Sequence, residues 1–176
     1  MTTPRYAKAV ALATSAHYGV FRTGTTVPYI SHPLAVSAMA MEYGGSEDVA
    51  IAAVLHDVIE DCGRGFIVPI REEFGTHVAD LVMAVSHFGR GTWKEKRIEY
   101  LAHLARASDD VLLVAGSDKL HNARAIVSDG PTVFEKFKAP KEDVLWYYTE
   151  LASIIAARGA PMASALTETV TKMKEL

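Results

Sequence analysis

The segment Leu55-His56-Asp57-Val58-Ile59-Glu60-Asp61 places four ionisable side chains within two helical turns, directly after the almost wholly apolar run Val49-Ala50-Ile51-Ala52-Ala53-Val54-Leu55. That run reads as buried, and burying even a neutral polar group without a partner costs on the order of 2–7 kcal/mol. A divalent cation is a natural partner for an imidazole and carboxylates there. On a helix, His56 and Asp57 project about 100° apart and both reach an ion lying over the cleft between those directions. Glu60 follows His56 by one turn and Asp61 follows Asp57 by one turn, so two carboxylates able to handle protons share the same faces. A second histidine, His32, stands in Tyr29-Ile30-Ser31-His32-Pro33, at the bend entering another helix. Asp118 stands in Gly116-Ser117-Asp118-Lys119-Leu120-His121-Asn122, within a further apolar helix. Two imidazoles and two carboxylates from three helices form a mixed nitrogen and oxygen donor set, suited to Mn²⁺, Fe²⁺ or Zn²⁺ rather than to copper or an iron–sulfur cluster.

The elements that must position these residues are helices. Thr3-Pro4 reads as an N-cap followed by proline at the first helical position, and Gly19 ends that helix. Val20 to Ser31 reads as a loop. Helices are predicted for Leu34–Tyr43, for Glu47 to about Asp61, for Pro69–Phe74, and from Thr76 through Val85. Further helices run from Trp93 to Ala107 behind the cap Thr92, from Val111 to Val127, from Pro140 to Arg158, and from Pro161 to the C-terminus. Val111-Leu112-Leu113-Val114 is β-rich but continues into a helix-compatible stretch. The predicted fold class is all-α, a bundle of about eight to ten helices forming a single domain over residues 1–176.

Composition narrows the function classes. A formal net charge of -3 lacks the basic excess expected of a protein that lives on nucleic acid. One cysteine, Cys62, permits no intrachain disulfide and suits a reducing compartment. The N-terminus lacks the basic-then-apolar pattern of a signal peptide, and no run approaches the roughly 20 apolar residues of a membrane span. The expectation is a cytoplasmic protein with no nucleic-acid and no membrane partner. An oligomer is compatible with the chain.

Several words in the sequence carry a family resemblance. Ala16-His17-Tyr18-Gly19, Arg22-Thr23-Gly24, Pro28-Tyr29-Ile30-Ser31-His32-Pro33, Leu55-His56-Asp57-Val58-Ile59-Glu60-Asp61, Phe74-Gly75 and Asp118-Lys119-Leu120-His121-Asn122-Ala123-Arg124 occur in this order. Together they resemble the HD superfamily of metal-dependent phosphohydrolases. Within it they are similar to the hydrolase domain of the RelA/SpoT alarmone enzymes and, more closely, to the stand-alone small alarmone hydrolases. The resemblance covers about residues 4–155. It implies His32, His56, Asp57 and Asp118 as metal ligands, Mn²⁺ as the usual metal, and Glu60-Asp61 as the catalytic acidic motif. It also implies that Arg22 packs against a guanine base and that Asn122 lines the nucleotide site, with Thr23 a further substrate-binding position. The implied reaction removes the 3′-pyrophosphate of ppGpp or pppGpp.

This sequence departs from the family pattern at several points. Thr23 stands where many members have Lys beside the base-stacking arginine, which removes a cation near the substrate. Val20 replaces a usual Gln, Ser86-His87 a usual Thr-Asp, and Ser117 a usual Ala. Cys62 replaces a common Thr, and Lys119 an Arg of the long enzymes. His17 reads as a structural residue packing near the site, His121 as a packed, hydrogen-bonded one beside it, and His77, His87 and His103 as surface residues. Trp146-Tyr147-Tyr148 reads as core or helix contact before a base-stacking platform, and Lys94 to Arg97 as a solvated helix face before a phosphate-gripping one. Two rival functions stand beside alarmone hydrolysis. One is a related HD enzyme acting on an adenine alarmone, a nucleoside monophosphate or NADPH. The other is a non-catalytic nucleotide sensor, against which the intact Glu60-Asp61 and donor set argue.

Overall fold

In the computed structural model, which describes residues 2–86 and 89–176, the first helix begins as its sequence dictates. The Thr3 hydroxyl accepts from the Arg5 N–H, and Pro4 opens α1 (Pro4–Ala16). The next helix departs from expectation. α2 (Ser31–Glu42) starts ahead of Pro33, which sits inside the first turn, where a missing N–H breaks no intrahelical bond. His32 is therefore a helical residue, buried at 1% exposure, rather than part of a bend. The loop before it closes on itself through an antiparallel bridge between Phe21 and Pro28, the only β-pairing among the described residues.

Ser46 caps α3 (Glu47–Leu55) by accepting from the Val49 N–H. Every residue from Val49 to Leu55 is fully buried, which makes α3 the central helix. The expected continuous helix to Asp61 is interrupted at His56-Asp57, and α4 (Val58–Asp61) follows as a separate short helix. No proline or glycine causes the break. The Ala53 carbonyl, which a continuing helix offers to the Asp57 N–H, takes the His56 Nδ1–H at 2.8 Å. A single turn of 3₁₀ helix, Arg64–Phe66, leads into α5 (Ile67–Phe74), so Pro69 lies inside the first turn rather than opening the helix. α6 (Thr76–Val85) follows directly after Gly75.

Thr92 and Glu95 form a reciprocal capping box at the start of α7 (Trp93–Leu104). Ser108 caps α8 (Asp109–Asp129), which takes in the β-rich run and extends the expected helix by two residues at each end. Its 21 residues span about 32 Å. A 3₁₀ segment, Pro131–Lys136, precedes α9 (Lys141–Ala157) and α10 (Ala163–Lys174). The described residues thus hold ten α-helices, and the all-α reading holds.

α3 packs against α1, α2, α6 and α8, while α10 covers α8 and α9. α8 and α10 approach closely because Gly116 has no side chain: a Cβ there would lie 2.8 Å from the Met162 sulfur. α2, the α3–α4 junction and α8 thereby bring chain positions 32, 56, 57 and 118 to one place. The surface reading of His87 concerns a residue outside those described. His103 is exposed, and exposed His77 pairs with Asp110 at 3.2 Å.

Candidate functional site

His32, His56 and Asp118 each offer a donor atom, and these atoms lie within 4.8 Å of one another. His32 Nε2 stands 3.2 Å from Asp118 Oδ1 and 3.6 Å from Asp57 Oδ2. His56 Nε2 stands 2.9 Å from Asp57 Oδ2 and 3.7 Å from Asp118 Oδ1. With bonds of roughly 2.0–2.2 Å, neighbouring donors on one cation stand about 3.0–3.6 Å apart, the chord of a right or tetrahedral angle. The observed spacings, from 2.9 to 3.7 Å, lie on that range or within 0.1 Å of it. Because His56 Nδ1 bonds a carbonyl, its proton sits there, and the Nε2 lone pair turns toward the cluster. That Nε2 is buried without a hydrogen-bond partner, as an atom reserved for a cation would be.

The surrounding groups hold the donors. Tyr29 donates to Asp57 Oδ2 at 2.6 Å. Asn122 Nδ2 donates to Asp118 Oδ1 at 2.6 Å, and Lys119 donates to Asp118 Oδ2 at 2.6 Å. His32 Nδ1 meets His121 Nδ1 at 2.8 Å. His17 packs its ring 4.8 Å from that of Tyr29. The bland readings of His17 and His121 thus match their positions, although His121 has an orienting contact that a merely packed residue would lack.

The electrostatics call for positive charge. Burial disfavours the charged forms of Asp57 and Asp118, yet His56 pulls the first below the carboxylate range, and Lys119 with the two histidines holds the second well below it. Burial likewise opposes charge on His56, but Asp57 and Asp118 outweigh it and raise its pKa well above the ordinary value. A proton on His56 occupies the electrostatic role that a metal cation fills. Burial, with the neighbouring His32 and Arg22, lowers His121 to about 4, which keeps that ring neutral at neutral pH.

Glu60 and Asp61 lie on α4 with exposed surfaces, outside the three-residue donor cluster. Burial of its carboxyl and the charge of Asp57 push Asp61 up to about 6.

A cavity of about 550 Å³ adjoins the cluster, within the range that takes nucleotide-sized ligands. Tyr29, Lys119, His121 and Asn122 form the wall between the two, so the donors themselves do not line the cavity. Arg22 and Thr23 also line it, and Arg22 Nη2 donates to Asn122 Oδ1 at 3.2 Å. Arg22 is thereby linked through Asn122 to Asp118. The cavity also takes in residues that the sequence reading assigned elsewhere. Arg97, read as part of a solvated face, is half-buried with its guanidinium 5.2 Å from the Trp93 ring and 5.0 Å from that of Tyr147. Tyr147 and Tyr148 are buried as expected, yet they line the cavity too. Their spacing gave no warning, because a core position and a cavity wall have the same apolar signature.

Comparison with known proteins agrees with this geometry. Residues 9–153 match the HD domain family. The guanosine-3′,5′-bis(diphosphate) 3′-pyrophosphohydrolase of Aquifex aeolicus is 34% identical over 140 residues, covering 77% of this chain and 19% of that protein. The bifunctional (p)ppGpp synthase/hydrolase SpoT of Escherichia coli K12 is 31% identical over 154 residues, covering 84% of this chain and 21% of its own length. The chain thus spans about a fifth of the length of these relatives. The solved structure of a metazoan ortholog of SpoT, described as hydrolysing ppGpp, superposes with a TM-score of 0.85 at 22% identity, covering 100% of this chain and 99% of that one. A Listeria monocytogenes structure superposes with a TM-score of 0.73 at 25% identity, covering 85% of this chain and 99% of that one. With His56 in the donor cluster, Asp57 2.9 Å from its Nε2, and the match running across most of its helices, this chain belongs to the HD domain family.

Proposed function

We propose that residues 1–176 form one metal-dependent phosphohydrolase domain that removes the 3′-pyrophosphate of ppGpp or pppGpp, giving GDP or GTP and pyrophosphate. The observation that carries this reading is the link from donor cluster to cavity: Asp118 is tied through Asn122 to Arg22, so a cation site and a base-binding guanidinium flank one nucleotide-sized space. The names of the curated relatives support the substrate. A cytoplasmic setting belongs to the same reading. No helix among the described residues is long and apolar enough to cross a membrane.

His32, His56, Asp57 and Asp118 would hold the ion, with Mn²⁺ as the proposed metal. When bound, such an ion lowers the pKa of water and offsets phosphate charge. Arg22 lays its planar guanidinium on the purine, a contact lysine cannot match. Asn122 fixes that guanidinium relative to Asp118. Glu60 or Asp61 takes the proton from the water that attacks the 3′-linked phosphorus. The bond from that phosphorus to the ribose 3′ oxygen breaks, the 3′ oxygen gains a proton, and pyrophosphate leaves as one unit.

Product analysis over time with Mn²⁺, with a chelator control, tests the reading on ppGpp, its adenine counterpart and NADPH. Pyrophosphate is expected from ppGpp, with no orthophosphate at first. Orthophosphate as the first product, or turnover of another nucleotide with ppGpp untouched, would promote the related HD activity that the Thr23 departure keeps open.

The His32–His121 contact yields a separate expectation. For His32 Nε2 to offer its lone pair to a cation, the ring proton must sit on Nδ1 and be donated to His121 Nδ1. His121→Phe removes that acceptor and leaves a buried N–H unsatisfied. Metal affinity should fall by roughly 10–100-fold, the usual cost of losing such a partner. His121→Asn, whose carbonyl can accept, should retain more of it. Competition against a chelating dye measures both, and unchanged affinity in His121→Phe would remove His121 from the positioning of His32.

A further inference from the structure

We infer that Lys136 is the cation that receives the phosphate chain at the end of the nucleotide remote from the donor cluster, in place of the lysine that Thr23 displaces. The inference rests on the proposed nucleotide substrate and names a specificity residue for it. Four cationic side chains line the cavity: Arg22, Arg97, Lys119 and Lys136. Three are held in place by close neighbours. Arg22 donates to Asn122, Lys119 is buried against Asp118 at 2.6 Å, and Arg97 packs against two aromatic rings. Lys136 differs. Its side chain is 39% exposed, and its ion pair to Asp129, itself on the cavity wall, is long at 3.8 Å.

Its position is specific. Lys136 comes from the 3₁₀ segment after α8, yet its Nζ and Cε both lie 3.2 Å from where a Cβ on Gly24 would stand. Gly24 is the chain neighbour of Thr23. Its missing side chain gives the lysine room, and its φ of +70° suits glycine on separate grounds. A cation from a distant part of the chain thus stands beside the position where the family pattern has one locally. With the base against Arg22 and the 3′ chain toward the donor cluster, the 5′ chain is the remaining anionic part of the substrate, and Lys136 is the exposed cation on the cavity wall to meet it.

The test uses Lys136→Ala and Asp129→Asn with two substrates, ppGpp and guanosine 3′-diphosphate, which lacks the 5′ chain. Lys136→Ala should raise KM for ppGpp about ten- to hundredfold, the scale of one charge-assisted hydrogen bond, with kcat within about twofold. It should leave KM for guanosine 3′-diphosphate unchanged. Asp129→Asn, which releases Lys136 from its competing carboxylate, should move KM for ppGpp the opposite way. Calorimetric titration with GDP keeps this inference separable from the substrate reading. Weaker GDP binding by Lys136→Ala supports the lysine even if wild type releases no pyrophosphate from ppGpp, a result that would sink the substrate reading alone. Equal GDP affinity in wild type and variant, or an equal KM change on both substrates, overturns the inference. A wild type that does not bind GDP overturns the inference, while pyrophosphate release from ppGpp decides the substrate reading separately.

Discussion

His56→Ala is expected to lose its metal and with it all measurable turnover, while remaining folded by circular dichroism. The Nε2 it removes is the buried donor atom with no hydrogen-bond partner, turned into the cluster by the bond from Nδ1 to Ala53. A ligand present at a hundred times its Kd stabilises the folded state by about 2.7 kcal/mol. For a chain of this size that is roughly a 5–11 °C rise in the melting midpoint. Wild type should therefore melt lower by that amount when a chelator is added, and His56→Ala should melt at the same temperature with and without it. Asp118→Ala should also lose the ion, but with a second effect. It strands the Lys119 ammonium, buried against Asp118 at 2.6 Å, and breaking such a pair costs about 3–5 kcal/mol. Its midpoint should fall below that of chelated wild type. Elemental analysis of the purified variants supplies the direct count of metal. If both variants hold metal as wild type does, the donor set is misassigned.

Glu60→Gln should show the opposite pattern: bound metal nearly unchanged and kcat lower by roughly 10²–10⁴-fold, the usual scale for loss of a general base. Glu60 lies outside the donor cluster, on α4, four residues after His56 and beyond the helix interruption. The amide keeps the shape of the side chain but cannot take a proton from water. Asp61→Asn is the companion measurement, because its carboxyl is pushed up to about 6 and it stands one turn beyond Asp57. Whichever variant loses more turnover with its metal retained marks the proton acceptor. A fully active Glu60→Gln would remove Glu60 from the mechanism, and a metal-free one would make it a ligand.

The helices and the composition of the donor cluster were legible because their signals are local. Caps at Thr3, Ser46 and Thr92, and glycine stops such as Gly19, are written within a few residues of the ends they define. The His56-Asp57 pair announced itself by following an apolar run that had to be buried. What escaped the sequence depends on tertiary contact. The α3–α4 interruption comes from a side-chain bond that helical periodicity does not register. The packing of Arg97 required Trp93 from its own helix and Tyr147 from α9. The role of His121 required His32, 89 residues away, while its place three residues after Asp118 was visible and ambiguous. Thr23 could be seen as a missing cation, but the nearness of Lys136 to Gly24 exists only in three dimensions.

The Gly116–Met162 contact bears on where the working module ends. The family match stops at residue 153, inside α9, whereas Met162 and α10 lie beyond it. Gly116 is two residues from Asp118, so the sulfur of Met162 buttresses the back of the helix turn that presents this donor. Leu166, Val170 and Met173 continue the support and are buried there. An excision at the family boundary would turn the rear of α8 from a packed face into a wetted one, and the Asp118 carboxylate would swing on a helix with nothing behind it. The transplantable unit is accordingly longer than its recognisable signature, and its last helix acts as a buttress for chemistry carried out on the opposite side of α8.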